Sequence, residues 1–325
     1  MAKGPGKTSR RGITLAQIFR MFPDDNAAEK YFIKTRWPNR PHCPYCGSTS
    51  VLSGAKHKTM PYRCRQRECR KRFSVRTKTV MEASNLGYQV WAVAIHLLMT
   101  SLKSVSGMKL HRDLGVTQKS AWFLAHRLRE AWQRIKDPFL GPVEADETYM
   151  GGIRKNMSKS RRRQLTGRGA VGKTVVVGVK DRKTNRISAA VVEGTDACTL
   201  QAFIEDRVSH TAKVFTDEHG GYVGLLVDSH ESVNHSADEY VRDEAHTNGV
   251  ESFWSMLKCA HKGTFHKISP QHMDRYITEF AGRHNMRSLD TEEQMRQLMA
   301  GMKGRRLRYP DLIAPNGLES GARPF

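Results

Sequence analysis

Two aspartates in strand-like settings, Asp146 and Asp217, precede a helix-like segment that opens with Asn248 and Glu251, and this pattern constrains the chain more than any other. The stretches are Val143-Glu-Ala-Asp146-Glu-Thr-Tyr149-Met-Gly-Gly152, Val214-Phe-Thr-Asp217-Glu-His219-Gly-Gly-Tyr222 and His246-Thr-Asn248-Gly-Val-Glu251-Ser-Phe-Trp254-Ser-Met-Leu-Lys258. Acids carried to one point by two strands and a helix supply the hard oxygen ligands that a pair of Mg²⁺ ions requires in near-octahedral geometry. Such a site serves phosphoryl transfer and points to a nucleic-acid backbone.

The charge balance agrees. Lys and Arg number 54 against 32 Asp and Glu, a net +22, which calls for a polyphosphate partner. A ribosomal or merely basic soluble protein would share that balance, but 325 residues with 38% apolar content can bury two or three cores. The longest apolar run, Val90 to Met99, is far short of the roughly twenty residues that cross a bilayer. The charged N-terminus has no apolar segment behind it, so residues 1–24 read as a basic disordered arm, not a secretory signal. A cytoplasmic, nucleoid-associated protein with no membrane partner is expected.

Four of the six cysteines crowd together as Cys43-Pro-Tyr-Cys46, seventeen residues, then Cys64-Arg-Gln-Arg-Glu-Cys69. This is zinc-ribbon spacing, and four thiolates close the shell of one structural Zn²⁺. Disulfides are the competing reading, disfavoured in a reducing compartment. The four residues between Cys64 and Cys69 leave His42 and His57 open as substitute ligands. Lys56, Lys58, Arg63, Arg65, Arg67, Arg70, Lys71 and Arg72 give the ribbon a phosphate-binding surface.

Asn26-Ala-Ala-Glu29 has capping-box spacing and predicts a short helix running to Trp37. After the ribbon, Tyr88 to Leu102 reads as a helix, and Gly107 to Leu114, Gly115-Val-Thr117 and Gln118 to Arg134 read as helix, turn, helix. The second helix offers Gln118, Lys119, Arg127 and Arg129 to DNA and buries Trp122, Leu124, Ala125, Leu128 and Trp132. A plain helical hairpin with a solvated basic face fits that pattern equally well.

Pro138 and Gly141-Pro142 mark a boundary, after which strands dominate: 143–149, 174–180, 186–192, 213–216 and 232–235, with helices over 199–208 and 271–287. The expected division is an arm over 1–24, helix and ribbon over 25–80, a helical DNA-binding module over 81–137, a catalytic domain over 138–300 and a tail over 301–325. Arg154, Lys155, Lys159, Arg161, Arg162, Arg163 and Arg168 fall within fifteen residues that hold no acid, a basic loop suited to phosphates. Lys262 extends the same surface beyond Lys258.

Strand alternation points Glu147 and Glu218 away from the aspartates, towards caps or ion pairs, whereas Glu144 shares the face of Asp146 and is a weaker ligand candidate. His219 and Tyr222 suit either substrate positioning or structural hydrogen bonds, and Trp254 reads as core.

The order of elements resembles the ribonuclease H-like fold, a mixed sheet flanked by helices. Together, Asp-Glu-Thr-Tyr-x-Gly-Gly, Thr-Asp-Glu-His-x-Gly-Tyr, His-Thr-Asn-x-x-Glu-Ser-Phe-Trp-Ser-x-Leu-Lys and the zinc ribbon resemble bacterial insertion-sequence transposases related to the eukaryotic Merlin elements, across roughly residues 25 to 290. The resemblance implies that the first and fourth strands bring Asp146 and Asp217 together. It further implies that Asp146, Asp217, Glu251 and Asn248 hold two Mg²⁺ or Mn²⁺ ions and that Lys258, seven residues after Glu251, faces DNA. Members differ in using Asn or Glu as third ligand, so Asn248 and Glu251 stay open, with Glu251 first because a carboxylate binds Mg²⁺ better than an amide. The implied activity is cleavage and strand transfer at terminal inverted repeats, by a dimer or larger assembly that also holds target DNA. A non-catalytic DNA-binding regulator and a structure-specific nuclease are the alternatives.

Overall fold

The computed structural model of the protein describes residues 11–132, 135, 137–152, 154–165, 170–233 and 247–320, with the side chains of residues 160, 161 and 164 left out. The chain divides into two units, Met1–Gln133 with Ser288–Ala314, and Arg134–Arg287 with Pro315–Phe325. Among the described residues no helix is long and apolar enough to cross a membrane.

The first unit opens with α1 (Leu15–Met21), set by a capping box in which the Thr14 hydroxyl accepts from the Gln17 amide and Gln17 Oε1 from the Thr14 amide. This helix falls where the sequence predicted a disordered arm; Ile18 and Phe22 bury an apolar edge that the flanking charges mask. Residues 1–10 of that arm lie outside the described residues. In α2 (Asp25–Arg36) the cap is Asp24, whose carboxylate accepts from the Ala27 amide at 2.8 Å. The capping box expected at Asn26 therefore lies inside the helix, because the aspartate two residues earlier takes the role.

Trp37 ends α2 and stacks edge-on against Tyr62, which lies over Phe73, so an aromatic cluster carries the chain into the ribbon. There β1 (Val51–Ser53), β2 (Tyr62–Cys64) and β3 (Arg72–Phe73) form an antiparallel sheet. α3 (Tyr88–Thr100) is buried almost all round. α4 (Gly107–Leu114) ends on Gly115, whose φ of 64° requires the left-handed region, and Thr117 caps α5 (Gln118–Glu130) by accepting from the Ser120 amide. The helix-turn-helix arrangement is thus present.

In the second unit a five-stranded sheet has the order β6-β5-β4-β7-β8, from β4 (Val143–Met150), β5 (Thr174–Asp181), β6 (Ile187–Val192), β7 (Lys213–Asp217) and β8 (Ser229–Val233). β4, β5 and β6 pair antiparallel; β4 with β7 and β7 with β8 pair parallel. The short α6 (Lys159–Gln164) follows β4. α7 (Ala197–Glu205) covers one face with Leu200, Phe203 and Ile204 against Val143, Ala145, Val177 and Val214. α8 (Asn248–Ala260) and α9 (Pro270–Asn285) cover the other, packing Val250, Phe253, Leu257 and Ile277 against Met150, Val176 and Ile187. This is the mixed, helix-flanked sheet of the ribonuclease H-like fold. The strand expected over 232–235 is β8; residues 234 and 235 lie outside the described residues.

The chain then returns to the first unit through α10 (Thr291–Gly301) and α11 (Tyr309–Ile313). Met295, Leu298, Met299 and Met302 are buried there, and the Arg11 and Thr291 amides donate to Asp290 and to Arg11.

Candidate active site and metal centre

Parallel pairing of β4 with β7 sets Val143 opposite Val214 and Glu144 opposite Phe215. Continued by two residues, that register puts Asp146 level with Asp217. The ladder itself stops at Glu144, so the two strands part just where the aspartates sit, Asp217 at the carboxyl end of β7 and Asp146 midway along β4. Carboxylate oxygens of Asp146, Glu147 and Asp217 lie within 4.8 Å of one another.

Glu147 belongs to this group although its side chain leaves the opposite face of β4. Its extra methylene carries the carboxylate towards the end of β7, and the Tyr222 hydroxyl donates to Glu147 Oε2 at 2.6 Å. The expectation that alternation turns Glu147 away from the aspartates is corrected in one respect, since its carboxylate ends beside theirs: alternation governs where a strand side chain starts, not where a long one ends. Glu218 lies just past the end of β7 and is exposed. Asp146 Oδ1 accepts from the Glu147 amide at 2.8 Å and Oδ2 from Trp254 Nε1 at 2.9 Å, while Asp217 Oδ1 accepts from the His219 amide. Burial, then the charges of Glu147 and Asp217, push Asp146 up to about 7 against the pull of its two donors. Burial likewise raises Glu147, opposed by Tyr222. Three carboxylates crowded this closely fit a hard divalent cation, which would relieve their repulsion.

A cleft of about 470 Å³ opens over these acids, lined by Asp146, Glu147, Thr148, Glu251, Trp254, Ser255, Lys258, Cys259 and Lys262. Its helical wall is one stripe at positions 251, 255, 258, 259 and 262, as helical periodicity dictates. Glu251 lies outside the 4.8 Å group and accepts from the Thr247 hydroxyl at 3.1 Å. Asn248, at the exposed first turn of α8, is absent from the lining. His219 and Tyr222 both make structural hydrogen bonds, His219 Nδ1 accepting from the Gly221 amide. Glu144 is 2% exposed, paired with Arg182 at 2.9 Å and turned to the start of α8.

In the ribbon, the sulfurs of Cys43, Cys46, Cys64 and Cys69 lie within 4.8 Å of one another, with Cys43 to Cys69 at 3.7 Å and Cys46 to Cys64 at 3.6 Å. A Zn²⁺ tetrahedron with bonds of about 2.3 Å has edges of about 3.8 Å, so the four thiols fit that ion. They are too far apart for disulfides, whose sulfurs lie about 2.05 Å apart. Gly47 at φ 77° and Arg70 at φ 46°, each directly after the second cysteine of its pair, turn the two knuckles. His57 Nδ1 instead accepts from the Thr59 and Met60 amides.

Residues 138–285 match the family model of the ISXO2-like transposase domain, and residues 23–72 match that of the transposase zinc-ribbon domain. The chain belongs to the insertion-sequence transposases with an N-terminal zinc ribbon. A relative from Halobacterium salinarum, an uncharacterized protein in the transposable element ISH50, is 26% identical over 273 residues, 80% of this chain and 90% of the relative. The ribbon of this transposase accordingly carries a structural Zn²⁺.

A transposase needs DNA-facing cations, and those expected from the sequence divide sharply. Gln118 and Lys119 are exposed on the first turn of α5, with Lys119 Nζ 4.4 Å over the Tyr309 ring. Arg127 is not available: it is 6% exposed, donates to the carbonyls of Leu307 and Glu82, and lies over Phe123. Arg129 is buried too, because the helix packs its C-terminal half on all sides. In the basic segment, Arg154 donates to the Leu165 carbonyl, while Lys155, Arg162 and Arg163 are exposed. The Arg161 side chain and Arg168 lie outside the described residues.

Proposed function

We propose that this transposase is a DDE-type enzyme that binds the terminal inverted repeats of its element and catalyses DNA cleavage and strand transfer. The observation that carries the reading is the level placement of Asp146 and Asp217, joined by Glu147, beneath the Glu251 and Lys258 face of α8. Asp146, Asp217 and Glu251, with Glu147 beside them, would hold two Mg²⁺ or Mn²⁺ ions. Bound there, divalent cations supply Lewis acidity to an attacking water or 3′ hydroxyl and to the leaving oxygen. Glu251 is favoured over Asn248 as the third ligand because it lines the cleft and carries charge. Lys258 and Lys262 hold phosphates as point charges beside the acids. The ribbon and the Gln118 and Lys119 turn of α5 bind the repeats, with Lys155, Arg162 and Arg163 on further phosphates. Joining two ends to one target calls for a dimer or larger assembly on DNA.

The test is strand transfer with purified protein, Mg²⁺ and labelled repeat DNA. Asp146→Asn, Asp217→Asn and Glu251→Gln should retain binding and lose joining by about three orders of magnitude, a loss of roughly 4 kcal/mol of transition-state stabilisation. Asn248→Ala should stay within a few-fold of wild type. Wild-type protein that binds the repeats yet neither cuts nor joins would make the chain a DNA-binding regulator instead.

A further inference from the structure

α8 reaches β4 through two hydrogen bonds, and the acid that the proposed reaction needs from this helix lies between them. At its start, Thr247 makes no side-chain cap to the helix. The missing cap comes from the sheet: Glu144 Oε2 accepts from the Val250 amide at 2.9 Å, a carboxylate at the positive end of the helix. One turn on, Trp254 Nε1 donates to Asp146 Oδ2 at 2.9 Å. The partners are two residues apart on β4 and four apart on α8. Two strand residues span about 6.7 Å and four helical residues about 6 Å, so both bonds form at once when the helix runs along the strand.

Each bond rests on a glycine. A Cβ on Gly249 would come within 2.5 Å of Glu144 Oε2 and 2.6 Å of Lys180 Nζ. One on Gly178, the β5 residue paired with Asp146, would come within 2.7 Å of the Trp254 indole. Glu144 has little freedom to yield, held as it is by Arg182 Nε at 2.9 Å. The indole is packed into the core and only its edge reaches the cleft. Helix and strand can approach this closely only because both positions lack a side chain.

We propose that Glu144 and Trp254 are positioning residues that fix the register of α8 on β4, and thereby hold Glu251 over Asp146. Neither ligates metal; one sets the helix start, and the other orients the Asp146 carboxylate while fixing the turn after Glu251. Outer hydrogen bonds of this kind typically govern metal affinity by ten- to a hundredfold. The inference rests on the reading of Glu251 as a ligand.

The experiment is Mn²⁺ titration by calorimetry on the full chain without DNA, comparing wild type, Trp254→Phe, Gly178→Ala, Glu251→Gln and the Trp254→Phe/Glu251→Gln double variant. Trp254→Phe keeps an aromatic ring in the seat but removes the N–H, and should weaken Mn²⁺ about tenfold, with the chain still folded. Gly178→Ala, which keeps the indole N–H but fills its seat, should do the same. Glu251→Gln should cost much less when combined with Trp254→Phe than in wild type, because a displaced helix no longer delivers the glutamate. One of the five indole N–H proton resonances should vanish in Trp254→Phe and shift in metal-free Asp146→Ala. Wild-type affinity in Trp254→Phe, or full additivity with Glu251→Gln, overturns the positioning role alone. Wild-type protein that takes up no Mn²⁺ overturns the metal reading and this inference with it.

Discussion

Asp146 shows how one side chain links pH to the proposed reaction. Its carboxyl is raised from 3.8 to about 7, so between those values the metal-free folded chain keeps a proton that the unfolded chain has released. This group's contribution to metal-free stability therefore falls as pH rises through that window. Metal must displace the proton, so Mn²⁺ affinity should rise about fivefold from pH 6 to pH 7 and level off above about pH 8. Calorimetry at three pH values checks this; an Asp146→Asn variant should show a flatter dependence. Arg127 and Lys119 make a second contrast of single residues. Removing Arg127 strands the carbonyls of Leu307 and Glu82, and Arg127→Ala should cost about 2–3 kcal/mol of stability. Lys119→Ala should leave stability alone and weaken DNA binding with a smaller salt slope, read by chemical denaturation beside repeat-binding isotherms. From the sequence both were cations on one helix. Their difference lies in depth, set for Arg127 by the Leu307 and Glu82 carbonyls of segments far away in sequence, which no local pattern carries.

At the scale of elements, the ribbon holds three strands of two or three residues each, too little apolar surface to fold alone. Metal binding must supply that folding energy. A strong chelator, or Cys46→Ser, should therefore unfold residues 43–73, seen as loss of amide protection there. Cobalt substitution should give the charge-transfer and d–d absorption of a tetrahedral thiolate site, at one ion per chain. The ribbon was legible because cysteine spacing is itself the constraint. β4, β7 and α8 were legible because acids interrupt clear strand and helix patterns, and β5 because it is a run of valines. α1 escaped notice because only Ile18 and Phe22 among its charged and exposed neighbours turn inward. Glu147 and Trp254 escaped because their roles depend on where β4 and β7 part and on the room left by Gly178, facts of pairing between segments distant in sequence.

For the whole molecule, the consequential feature is the return of 288–314 to the first unit. A chain read linearly ends its N-terminal modules before residue 138, yet α10 buries Met295, Leu298, Met299 and Met302 beside α2 and α3. At about 1.5–3 kcal/mol for each buried apolar side chain, removing the four would cost upwards of about 6 kcal/mol. That is comparable to the whole stability of an ordinary domain, about 5–15 kcal/mol. Arg305 adds to the loss, since its guanidinium donates to the carbonyls of Glu130 and Trp132 at the end of α5. Truncation after Arg287 should therefore damage the zinc-ribbon unit, although the cut lies far from it in sequence. In the truncated chain, hydrogen exchange should report lost protection across α2, α3 and α5 and near-native protection in β4, β5 and α8. Equal protection of both units after truncation would mean that α10 is dispensable to the first core. The expected asymmetry would make the ribonuclease H-like unit an insertion within the N-terminal one, its strands entering and leaving through a unit that closes only when the chain comes back.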